Sequence, residues 1–192
     1  MPVRMSSSIQ AEGSGPVDRR AVLRAEVADA TGSMTITAAI ERYLAQAGEM
    51  LGAWGEVRVR IVGDAEMARA HEEFTGVPGT TDVLTFDMTD AGEAPGPGPS
   101  ALARDGAIAV LRARRVDADI LACADEAHRQ AAARGHAVRD EVLLYALHGL
   151  LHCLGHDDHD PEAYAAMHAL EDAVLRRLGV GAVFGLGGRG AG

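Results

Sequence analysis

The chain has 192 residues, of which 47% are hydrophobic and 4% aromatic. At that length one domain buries about two-thirds of its unfolded surface, so the composition excludes both a disordered chain and a core that depends on disulfides. With 28 acidic against 18 basic side chains the net charge is −10, the opposite of the basic footprint that general nucleic-acid binders carry.

Residues 1–17, rich in Ser, Gly and Pro, read as a flexible tail ahead of a single domain over 18–180. Val22 to Ala28 alternates as a first strand. A helix follows, capped by Thr35 or Thr37, with Ile40, Leu44, Ala47 and Leu51 at helical spacing and Trp54-Gly55 ending it. Val57 to Val62 alternates apolar and basic residues, the pattern of a strand with one buried face. Asp64 stands at the N-cap of a short helix to Phe74, and Asp82 to Met88 is a strand. Ala91 to Ser100, with three prolines and three glycines, is a loop with no core of its own. Ala107 to Leu111 and Asp119 to Ala124 read as further strands, and Glu126 to Arg134 as a helix stopped by Gly135. Val138 to Leu154 is a long helix, apolar round much of its girth and therefore central. A last helix over Pro161 to Leu178 starts with its proline in the first turn, and a Gly-rich tail over 181–192 closes the chain. The expected fold is α+β: a small mixed sheet of about four strands packed against helices. No apolar run is long enough to span a membrane, and Met1 to Ser14 has no apolar segment of a secretory signal. Two cysteines, Cys123 and Cys153, make no disulfide framework and suit a reducing cytoplasm.

Six of the eight histidines follow position 135. His148 and His152 are i and i+4 on the long helix, so both rings lie on one face and can grip one cation. The spacing alone is weak, since roughly 0.3 such pairs arise by chance in a chain with this many histidines. The apolar helix adds weight, because buried imidazoles need hydrogen-bond partners or a metal. Gly155 then lets the chain reverse, and Asp157, Asp158 and His159 stand ready to supply a third ligand. The run parallels the extended zincin pattern H-E-x-x-H-x-x-G-x-x-H, with Asp158 at the third-ligand position and His159 one residue later. Gly149 occupies the place of the zincin Glu base, which argues against proteolysis but leaves metal binding intact.

The segment His148 to Asp158 (HGLLHCLGHDD) resembles the signature of the YbeY family, bacterial metal-dependent endoribonucleases that mature rRNA. Phe74, a turn, and Thr81-Asp82-Val83-Leu84-Thr85-Phe86 resemble a second family segment, and the run from Asp117 through Cys123 to Gly135-His136 a third. The resemblance implies one zinc ion on three side chains of the motif, the first two being His148 and His152. It also implies cleavage of single-stranded RNA, chiefly in maturing the 3′ end of small-subunit rRNA and in ribosome quality control. The cytoplasm and small-subunit ribosomal proteins are the implied setting. Two positions depart from the pattern. Asp158 stands where the family's usual third ligand is His; it keeps the spacing and is favoured over His159. Thr75 stands where many members carry an arginine linked to RNA cleavage, which bears on the cleavage rate.

Two further expectations concern the substrate. Asp82 and Asp157 are the carboxylates available as a general base. Arg112, Arg114 and Arg115 form the densest basic cluster, a phosphate-binding strip or a solvated sheet face. Two rivals to the nuclease are a non-catalytic ribosome-assembly factor with structural zinc and a zincin-like metallopeptidase.

Overall fold

The computed structural model describes residues 22–32, 35–89, 100–102, 106–110, 113–181 and 183. The tail over 1–17, Arg112, nearly all of the loop over 91–100 and most of 181–192 therefore lie outside the described residues. Eleven elements follow in order: β1 (Leu23–Asp29), α1 (Thr37–Leu51), β2 (Ala53–Val62), α2 (Asp64–Thr75), β3 (Val83–Asp87), β4 (Ser100–Leu102), β5 (Ile108–Val110), β6 (Arg114–Cys123), α3 (Ala124–Arg134), α4 (Val138–Cys153) and α5 (Pro161–Arg177).

Four strands form one mixed sheet in the order β1-β2-β6-β3. The first three run parallel, and β3 pairs antiparallel with β6 as an edge strand, Thr85 opposite Ile120. Period-two alternation sets the faces. Val57, Val59 and Ile61 of β2 and Val116, Ala118, Ile120 and Ala122 of β6 are buried in one core with α1, α4 and α5. Arg58, Arg60, Asp117 and Asp119 occupy the alternate positions and so face the other way. At one end of that outer face Met67 of α2 closes over Val62 and Cys123.

Several boundaries differ from the sequence expectation. Gly52, at φ 72°, ends α1 by returning its N–H to Gly48, so Trp54 and Gly55 belong to β2 rather than to the helix stop. Ile36 holds the N-cap position of α1 without a side-chain bond, so neither threonine caps it. Gly63 is the N-cap of α2, and Asp64 is its first helical residue, bonded to Arg129 at 2.7 and 2.8 Å. β6 starts at Arg114, five residues before the expected Asp119, because Val116 and Ala118 already point into the core between charged neighbours. Of the strand expected over 107–111, Ile108–Val110 pairs with β4 in a separate two-stranded ribbon and takes no place in the main sheet.

α4 runs through the middle of this arrangement. Asp140 to Leu147, Gly149 to Leu151 and Cys153 are all buried; His148 and His152 alone among its last two turns are half-buried. Gly149 is required for the close packing: a Cβ there would lie 2.5 Å from Thr85 Oγ1 and 3.0 Å from Ile120 Cδ1. That contact sets α4 against the β3 edge and leaves the two histidines at the rim of a cleft. Asp160 caps α5, its carboxylate accepting the Glu162 and Ala163 N–H groups at 2.9 Å. No helix among the described residues is long and apolar enough to cross a membrane.

Candidate metal centre

His148 and His152 meet edge to face, with their Nε2 atoms 2.9 Å apart. The other nitrogen of each ring is already committed. His148 Nδ1 is 2.8 Å from Glu171 Oε1, and His152 Nδ1 is 3.2 Å from the His156 carbonyl. Both acceptors require an Nδ1–H donor, so each Nε2 is left with a lone pair. Two lone pairs at that separation repel unless a proton or a cation lies between them. Burial pushes His148 down, but the hydrogen bond and charge of Glu171 outweigh it and hold the ring above the ordinary histidine value. Burial and then His148 push His152 below that value. The pair is thus arranged to hold one positive charge.

Asp158 completes the group. Its Oδ2 lies 3.7 Å from His148 Nε2 and its Oδ1 3.8 Å from His152 Nε2. Donors on a tetrahedral zinc shell stand about 3.3 Å apart, given bonds of about 2.0–2.1 Å, so the three side chains need only small shifts to share one ion. The bend that delivers Asp158 depends on Gly155, whose φ of 87° is open to glycine and costly for other residues. His159 is turned elsewhere: its ring is 83% exposed and bonds to Asp157. Asp157 in turn accepts the Asp158 and His159 N–H groups and so caps the bend.

Sequence reasoning missed Glu171. It is fully buried on α5 and bridges two rings, His148 through Oε1 and His168 through Oε2. Burial drives its carboxyl up, yet the hydrogen bonds from His148 and His168 prevail and keep it below the usual carboxylate range. A carboxylate behind a ligating imidazole fixes its tautomer and raises its basicity. The available signal was its place on the apolar face of α5 with Met167, Leu170 and Val174, three residues after His168, where a buried acid needs a partner.

Two cavities flank His148. One, of about 370 Å³, runs along β3 past Asp82, Thr85, Asp87, His152 and Cys153. The other, of about 390 Å³, opens between α3, α4 and α5. Asp82 lines both. Its Oδ1 accepts from Val83 N–H at 2.8 Å and the Thr81 hydroxyl at 3.0 Å, and among the described residues Oδ2 has no hydrogen-bond partner. Cys153 is buried and lines the first cavity with His152, and its thiol is pushed up to about 12 by burial and then by Asp87.

Of the expected arginine strip, Arg112 lies outside the described residues. Arg114 is buried, and its guanidinium donates to the Leu154 carbonyl at 3.0 Å, closing the C-terminal end of α4. Arg115 lies 3.5 Å from Asp117 on the outer face. The glycine contact at Thr85 and Ile120 also excludes any side chain at the position where a zincin peptidase has its base.

In this α+β domain one helix and the bend after it bring together His148, His152 and Asp158, three side chains that could hold a metal ion. The family model for Endoribonuclease YbeY matches residues 24–179, and the chain belongs to that family. Endoribonuclease YbeY of Renibacterium salmoninarum is 40% identical over 116 residues, 60% of this chain and 66% of the relative. That of Mycobacterium tuberculosis is 35% identical over 125 residues, 62% of each chain. The matched stretch thus spans a little under two-thirds of the length of these curated relatives. Among solved structures, TM1509 of Thermotoga maritima matches with a TM-score of 0.48 and 20% identity, over 81% of this chain and 91% of that one.

Proposed function

We propose that the chain is a zinc-dependent, single-strand-specific endoribonuclease that matures the 3′ end of small-subunit rRNA and serves ribosome quality control in the cytoplasm, beside small-subunit ribosomal proteins. Residues 18–180 form the working domain. One zinc ion is held by His148, His152 and Asp158. The observation that carries this reading is the facing pair of Nε2 atoms, 2.9 Å apart with both Nδ1 atoms committed, in a chain of the YbeY family. Bound zinc lowers the pKa of water toward about 7 and polarises a phosphoryl oxygen.

The chain's own residues do the rest. Glu171 and the His156 carbonyl orient the two imidazoles. Asp82, which lines both cavities beside His148, is the carboxylate that takes a proton; Asp157 lines neither. Purified zinc-loaded protein is expected to cut single-stranded RNA, with His148→Ala and His152→Ala inactive. Equal cleavage by both variants removes the hypothesis.

One observation favours a non-catalytic assembly factor as the second reading. Thr75 stands in place of the arginine that many family members carry, and its hydroxyl donates to the His71 carbonyl at 2.6 Å, capping α2. That reading predicts zinc-dependent thermal stability and co-sedimentation with ribosomal particles, without turnover.

A further inference from the structure

The cavity between α3, α4 and α5 is not needed to hold the ion, yet it opens directly onto His148. Its wall carries four carboxylates, each hydrogen-bonded, Asp82 through Oδ1 alone. Glu126 accepts from Arg129 and Gln130 at 2.7 Å, and Glu171 from His148 and His168. Glu141, fully buried, accepts from His136 and Arg134, and Asp82 from Val83 and Thr81. Arg134 differs. Its one hydrogen bond among the described residues is the long 3.3 Å contact from Nη1 to Glu141, so Nε and Nη2 remain unengaged. Among the residues lining either cavity beside His148, it is the one permanent cation. The Tyr145 hydroxyl is buried in the wall of the same cavity near Glu141, and none of its contacts among the described residues has hydrogen-bond geometry.

We propose that this cavity is a phosphate subsite for a nucleotide flanking the cleaved bond, with Arg134 as the residue that binds it; this rests on the nuclease reading above. A chain of net charge −10 repels a polyanion and needs a local cation to seat one. Arg134 is tethered to Glu141, seven residues before His148 on α4, a separation of about 10.5 Å at 1.5 Å rise per residue. From there the guanidinium serves a neighbouring phosphate and not the one at the ion. A planar fork with unused N–H donors suits that oxygen pair.

The test compares wild type, Arg134→Gln and Arg134→Lys on two RNAs: a long single strand, and a dinucleotide whose one phosphate is the scissile one. Arg134→Gln is expected to raise KM for the long RNA about tenfold, the loss of one charge-assisted contact, with kcat and zinc content unchanged. The dinucleotide's kinetics stay as in wild type, and Arg134→Lys, which keeps the Glu141 ion pair, recovers part of the loss. Salt titration of long-RNA binding by fluorescence anisotropy loses about one unit of slope in Arg134→Gln. Equal changes on both RNAs, or an unchanged KM and salt slope on the long one, overturn the subsite. Should wild type cleave neither RNA, the nuclease reading fails, while the salt slope still decides whether Arg134 contacts phosphate.

Discussion

Two clusters of ionisable side chains stand on opposite faces of the sheet, and they are built on different terms. On the outer face Arg58 sits among Asp117, Asp119 and Glu56, with the Asp117 oxygen at 2.8 Å and Glu56 at 3.4 Å. Every charge there meets an opposite one, and the guanidinium is held well above its ordinary value by hydrogen bonds to Asp117 and Asp119. On the inner side His148 and His152 turn their committed nitrogens outward to Glu171 and the His156 carbonyl, and bring their remaining lone pairs together beside Asp158. The outer cluster is complete without a guest. The inner one is complete only with a positive charge in the middle. Density of charged residues therefore does not distinguish a site from a solvated face; the direction of unspent lone pairs does.

Four experiments test that contrast. His148→Ala or His152→Ala removes a ligand and is expected to weaken zinc binding by more than about 100-fold, beyond the loss that an outer partner causes; competition with a chromogenic chelator measures it. Glu171→Gln leaves all three ligands but removes the carboxylate behind His148, and zinc affinity falls about 10- to 100-fold by the same titration.

Acidification acts on the same pair. Glu171 holds His148 above the ordinary histidine value of 6.5, so proton and ion compete for Nε2 and zinc affinity falls as the pH drops through that raised value, by about tenfold per pH unit below it. Glu171→Gln moves the onset to lower pH. In the metal-free fold the His148 contribution to stability is fully present below 6.5 and fades as the pH rises through the raised value. That of Glu171 is present above 4.5 and fades as the pH falls through its lowered one. The smallest effect belongs to the outer face. Arg58→Ala, at a third-exposed position, is expected to cost less than about 1 kcal/mol in urea unfolding and to leave zinc content untouched.

Much of this was legible in the sequence where a period or a spacing carried it. The alternation of Val57 to Ile61 marked β2, the apolar girth of Val138 to Leu154 marked the central helix, and the i, i+4 histidines marked the face on which the two rings meet. Pairing choices were not legible: the run at 107–111 looks like any short apolar strand, and nothing local says that its partner is Ser100–Leu102 and not the main sheet. Arg114 was read as surface because arginine usually is; its burial depends on the Leu154 carbonyl forty residues away. Glu171 was passed over for the same reason. Its neighbour Asp172 and the arginines of the last turn of α5 make it look like part of a solvated helix, and only the packing of α5 on α4 brings it behind His148.

The most direct measurement is elemental analysis of bound zinc in purified wild type, Asp158→Ala and His159→Ala. About one equivalent per chain is expected in wild type and His159→Ala, with little in Asp158→Ala, because Asp158 alone of the two reaches both imidazoles. Full zinc in Asp158→Ala together with its loss in His159→Ala, or no zinc in any of the three, contradicts the site.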